Sequence, residues 1–87
     1  MKTTASGFSY EIAETVKDDF ELVEVIQDYA AGNKLAAPEL IRRLLGPAQF
    51  TALKEHCRGE NGIVSTERML QEATEILNGE NDKEIKN

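Results

Sequence analysis

Apolar residues recur along this chain with two different periods. In Phe8-Ser9-Tyr10-Glu11-Ile12 they alternate with polar ones. That is the period of a half-buried strand, and the aromatic and β-branched side chains suit one. From Phe20 the spacing becomes helical. Phe20, Leu22, Val23, Val25, Ile26 and Tyr29 form a broad apolar face, with Glu21, Glu24, Gln27 and Asp28 opposite. Asp18 stands where an N-cap is needed, and Glu21 three residues on completes a capping box. Asp19 adds negative charge at the positive end of the helix dipole. Gly32 ends this helix near Ala31.

Leu40, Ile41, Leu44 and Leu45 repeat the helical spacing, and Phe50, Leu53 and Cys57 resume it after Gly46-Pro47. Gly46 suits the left-handed position that ends a helix, and Pro47 the first position of the next. The joint predicts two helices, about 37–45 and 47–58, crossing with almost no loop. Gly59-Glu60-Asn61-Gly62 predicts a turn, Ile63-Val64 a short extended segment, and Ser65 the cap of a fourth helix that Asn78-Gly79 stops. Met69, Leu70, Ala73, Ile76 and Leu77 form its apolar face. The expected fold is mainly α, a small bundle of about four helices with a short N-terminal β-strand or ribbon. Its core is expected at Leu22, Ile26, Leu40, Ile41, Leu44, Leu45, Phe50, Leu53, Leu70, Ala73 and Leu77. Residues 1–7 read as a flexible arm, 8–78 as a single helical domain and 79–87 as a disordered tail.

Size and charge narrow the function. Eighty-seven residues allow one domain with a small core. A single cysteine cannot form an internal disulfide. The net charge of -6, from 16 acidic and 10 basic residues, repels phosphate backbones and disfavours nucleic acid as a partner. No apolar run approaches the roughly 20 residues of a membrane span. No apolar run of signal-peptide type follows residues 1–7 either. A soluble protein of a reducing compartment is expected.

Chemistry-bearing patterns are sparse. His56 and Cys57 are neighbours, and neighbours on a helix point about 100° apart, so they form no ready dyad. Cys57 reads as a small buried hydrophobe, and His56 as a residue at the core edge or in solvent. The Asn61-Gly62 turn resembles the middle of a calcium loop, but that register puts Cys57, Gly59 and Arg68 where oxygen ligands belong. A helix-turn-helix of the DNA-reading kind across Gly46-Pro47 would rely on Arg42, Arg43, Lys54 and Arg58 in an acidic chain. No enzyme, cofactor or metal is expected. A lone strand leaves backbone groups unpaired, so it forms a ribbon within the chain or adds to a neighbouring subunit. Phe8, Tyr10, Ile12, Phe20, Val25 and Tyr29 are the candidate partner-binding or self-association residues.

The order of features resembles the small tail assembly chaperones of long-tailed bacteriophages and prophages. The resemblance is carried by Phe8-Ser9-Tyr10-Glu11-Ile12, by Asp18-Asp19-Phe20-Glu21-Leu22, and by the Leu-Leu-Gly-x-x-Gln-aromatic joint Leu44-Leu45-Gly46-Pro47-Ala48-Gln49-Phe50 with Leu53. Glu60-Asn61-Gly62-Ile63-Val64-Ser65 is the next landmark. Pro47-Ala48 departs from the acidic pair commoner at that place. The resemblance covers residues 8 to about 78. It implies a non-enzymatic protein of the bacterial host cytoplasm that is not part of the mature virion. Such a protein binds the tape measure protein, recruits tail tube protein and works in several copies. An acidic regulatory adaptor and a small DNA-binding domain are the alternatives.

Overall fold

The computed structural model describes residues 1–85. A two-stranded antiparallel ribbon, β1 (Lys2–Thr3) and β2 (Ser9–Tyr10), precedes the helices α1 (Phe20–Ala30), α2 (Ala37–His56) and α3 (Thr66–Ile85). Short 3-10 turns at Glu14–Asp18 and Lys34–Ala36 lead into α1 and α2. The fold is mainly helical with an N-terminal ribbon, as expected, but it has three helices where about four were expected.

The ribbon corrects the reading of residues 1–7 as a loose arm. Lys2 pairs with Tyr10 and Thr3 with Ser9, so the strand's backbone finds its partner within the chain. The partner is the polar start of the chain. Ile63-Val64 is elsewhere, where Val64 makes an isolated bridge to Arg58. The loop closes through Thr4 N to Phe8 O at 2.9 Å and Gly7 N to Thr4 O at 2.9 Å. The period of two puts Phe8 and Tyr10 on one face, and both are buried.

Helix α1 starts one residue later than the capping pattern suggested. Asp19, in extended conformation, is its N-cap, and its Oδ1 accepts from Leu22 N at 3.1 Å. Asp18 closes the preceding 3-10 turn. Gly32, at φ 111°, ends the helix as predicted. Leu22 is buried, and Val25, Ile26 and Tyr29 pack partly buried against the core. Phe20 and Val23 lie on the outer face, because the apolar stripe of α1 is wider than the surface that covers it.

Helix α2 holds the reason for the helix count. The two segments expected on either side of Gly46-Pro47 are one 20-residue element broken at Gly46, where φ is 82° and ψ 162°. That backbone region is almost closed to residues with a Cβ. One residue therefore makes the bend, with no loop. Gln49 holds it. Its Nε2 donates to Leu45 O at 2.7 Å and to Glu11 O at 2.8 Å, while its Oε1 accepts from Glu11 N at 2.8 Å. The side chain thus satisfies a carbonyl at the break and ties the exit of β2 to α2.

Helix α3 is capped by Ser65, whose Oγ accepts from Arg68 N at 3.2 Å. Asn61 Oδ1 accepts from Ile63 N at 3.0 Å in the preceding turn. The helix runs through Asn78-Gly79 to Ile85, so the expected tail is helical that far. No proline follows Gly79, and a glycine inside a helix costs only about 1 kcal/mol. The last two positions of that expected tail, 86 and 87, lie outside the described residues.

The core joins Phe8, Tyr10, Leu22, Leu40, Ile41, Leu44, Leu45, Leu53, Cys57, Met69, Ala73 and Ile76. Ile26, Phe50 and Leu77 are partly buried against it, and Leu70 is of intermediate burial. The inward stripe of α3 is therefore Met69, Glu72, Ala73 and Ile76, one position round from the Leu70 and Leu77 expected.

Two expected outcomes follow. Gly46→Ala should destabilise by about 1–3 kcal/mol through backbone strain, while Gly79→Ala is tolerated or stabilising by up to about 1 kcal/mol, its Cβ meeting Tyr10 Oη at an ordinary 3.5 Å. Urea denaturation of the two variants measures both, and equal midpoints would remove Gly46 as the determinant of the bend. Gln49→Glu, which cannot donate to Leu45 O or Glu11 O, should cost about 1–3 kcal/mol. An unchanged melting curve would show that the Glu11 tie is dispensable.

Candidate functional site

The six candidate contact residues separate into three groups. Phe8 and Tyr10 are 7 % and 4 % exposed, so they belong to the chain's own core, where a partner or self-association contact was expected. Their rings stack at 6.5 Å, and His56 lies tilted against Phe8 at 5.5 Å. Ile12, Val25 and Tyr29 are partly buried against the core. Tyr10 and Tyr29 also line a wide, open depression of about 900 Å³ between β1 and α3. Phe20, 73 % exposed, presents its ring to solvent.

Beneath the ribbon lies a polar cluster. The Ser6 hydroxyl donates to Glu72 Oε2 at 2.8 Å and lies 3.0 Å from His56 Nε2. Its one proton goes to the carboxylate, so it accepts from the imidazole N–H. Thr4 Oγ1, 3.2 Å from Ser6 Oγ, accepts from Phe8 N. Ala5 N donates to Glu75 Oε2 at 2.6 Å. Glu72 is buried, and its Oε1 has no hydrogen-bond partner. In a nucleophilic triad the imidazole stands between hydroxyl and carboxylate. Here the hydroxyl stands in the middle, an order that pins the Thr4–Phe8 loop onto α2 and α3. Among the described residues no group of three His, Cys, Asp or Glu side chains could hold a metal ion.

An opening with a mostly apolar lining lies where the first turn of α2, its second half and α3 converge. It is a groove of about 400 Å³ lined by Leu35, Ala37, Pro38, Ile41, Phe50, Val64, Thr66, Met69 and Leu70, with Lys34 and Lys54 at its rim. Leu35 is 90 % exposed there. Lys54 Nζ sits 4.8 Å over the Phe50 ring, which holds that cation at the edge of the apolar surface. The bend at Gly46 brings the Phe50–Lys54 wall round to face α3.

Other cations are engaged by carboxylates. Arg43 reaches Glu39 at 3.0 Å, Asp19 at 3.4 Å and Glu21 at 3.5 Å, joining α2 to the N-terminus of α1. The hydrogen bond to Glu39 and the surrounding negative charge raise its pKa further. Arg58 pairs with Glu55 at 2.6 Å and donates to the Gly62 carbonyl at 2.7 Å. It occupies the turn that resembles a calcium loop. The hydrogen bond from Arg58 lowers the Glu55 carboxyl pKa.

Comparison with known proteins finds no matching family model, no matching curated protein and no matching solved structure. Among the described residues no helix is long and apolar enough to cross a membrane.

Cys57 is buried, and its thiol is pushed above the ordinary value of 9.0 by burial first and by the Glu72 charge second, against a smaller opposing effect of Arg68. The unfolded thiol therefore ionises first. This contribution to stability is complete below the unfolded value and is lost as pH rises through the folded one. Wild type should lose stability faster than Cys57→Ala as pH rises above about 9. Parallel urea midpoints across that range would show that the thiol is accessible when folded.

Proposed function

We propose that this chain is a tail assembly chaperone of a long-tailed bacteriophage or prophage. It binds the tape measure protein without catalysing a reaction and assists assembly of the tail tube protein. It acts in the bacterial host cytoplasm and stays out of the mature virion. The observation that carries the reading is the lysine-rimmed apolar groove. A client with long amphipathic helices needs its apolar stripe shielded, and such a stripe seats in an open groove between helices. The resemblance across residues 8–78 supplies the client.

An acidic regulatory adaptor would use the same groove and is the second reading. The DNA-reading alternative is disfavoured by the arginines. Two of its proposed phosphate contacts, Arg43 and Arg58, are held by carboxylates, and a phosphate would have to displace them against the net charge of -6.

The test is co-expression with the cognate tape measure protein, the one whose gene would adjoin this chain's on this reading. Wild type should keep that protein soluble in a stable complex. Leu35→Asp, at an exposed groove position, should weaken the complex at least about tenfold, whereas Arg42→Glu, outside the groove lining, should not. A tape measure protein that stays insoluble with wild type, or a complex indifferent to Leu35→Asp, would overturn this reading of the groove.

A further inference from the structure

We infer that residues 1–10 form a strap that opens about Glu11 while the three helices stay folded, with the Glu72 carboxylate as its latch on the Ser6 hydroxyl. The ribbon has little of its own to hold it. Two strands of two residues each close it, too few to persist alone. Its polar attachments to the helices are concentrated at Ala5 and Ser6. Ala5 N donates to Glu75 Oε2 at 2.6 Å, and the Ser6 hydroxyl to Glu72 Oε2 at 2.8 Å, both on α3. His56 Nε2, at the end of α2, lies 3.0 Å from the same hydroxyl. Phe8 and Tyr10 are its buried apolar anchors. Past Tyr10 the Gln49 amide grips Glu11 through both backbone groups, so the chain is clamped there and the residues before it can swing.

Glu72 acts on both sides of this equilibrium. Its Oε2 fastens Ser6 by a charge-assisted bond, stronger than a neutral one. Its Oε1 is buried without a hydrogen-bond partner among the described residues, a desolvation cost that opening relieves when water reaches it. A segment with few apolar anchors opens locally at lower free energy than the whole fold. Opening withdraws Phe8 and Tyr10 and uncovers the core surface against which they pack. The strap is thus a cover for a second face of the helices. None of its residues lines the lysine-rimmed groove, so the inference does not depend on the chaperone reading.

Native-state amide hydrogen exchange on the full chain, followed by NMR, tests it. The amides of Thr4, Ala5 and Phe8 are hydrogen-bonded in the closed strap, and the ribbon cannot keep those bonds once off the helices. In wild type they should share one protection factor, at least about a hundredfold below that of Leu44, Leu53 and Ile76 in the helices. Ser6→Ala, at an exposed position, should lower strap protection at least about tenfold. It should leave the ratio of helix to strap protection unchanged, because only the closed form loses a bond. Glu72→Ala should open the strap similarly, and Glu72→Gln, which keeps an acceptor for the hydroxyl, less. The Ser6→Ala/Glu72→Ala double variant should be little worse than the worse single one. Wild-type strap amides as protected as the helices, or not protected at all, overturn the strap. Unchanged exchange in Ser6→Ala and Glu72→Ala, or fully additive effects, overturn the latch.

Discussion

The bend at Gly46 is the constraint on which the other features rest, and the Gln49 amide holds it. A carboxamide offers an acceptor and two donor hydrogens. Here the acceptor takes Glu11 N, while the donor nitrogen serves both Glu11 O and the carbonyl at the break. Each such bond contributes only about 1 kcal/mol net, but leaving the groups unmet costs more, so the geometry is strongly specified. Several consequences follow from the angle it sets. His56 comes to lie against Phe8, the Phe50–Lys54 wall turns toward α3, and the chain leaving β2 is fixed to α2. The Gln of the Leu-Leu-Gly-x-x-Gln-aromatic pattern thus has a structural role, and so does the glycine.

The ribbon depends on side chains more than on its own ladder. Two strands of two residues each cannot persist alone in water. Burial of Phe8 and Tyr10 supplies the attraction, about 1.5–3 kcal/mol for a fully buried phenylalanine. The Ser6–Glu72 and Ala5–Glu75 bonds supply the registration. Glu72 bears a penalty for this, because one oxygen is buried without a partner and a carboxylate there costs desolvation energy. A leucine would pack better in the stripe Met69, Ala73 and Ile76. It would also leave Ser6 and the loop around it without an anchor, so the glutamate trades stability for a defined position of the chain's first residues.

Much of the fold was legible because periodicity is local. The strand alternation at Phe8–Ile12, the caps at Ser65 and Gly32, and the break at Gly46 each depend on a few consecutive residues. What failed to appear depends on distant ones. Lys2–Thr3 carries no apolar signal, and only the strand it pairs with makes it a strand. Phe8 and Tyr10 therefore read as candidates for contact with another chain. Asp18 and Asp19 both satisfy the capping pattern, and the 3-10 turn before α1 decides between them. Glu72 was visible as the position between Met69 and Ile76 on the inward stripe of α3, a signal obscured by choosing Leu70 and Leu77 as the stripe. The groove was least legible, because its walls come from three stretches separated by turns.

Charge placement explains how an acidic chain can keep apolar surface open without precipitating. Arg43 and Arg58 are already paired with carboxylates, while the exposed Glu24 and Asp28 keep the outer face of α1 acidic, and like faces repel. Lys34 and Lys54 remain at the apolar groove, where an acidic helix gains on approach.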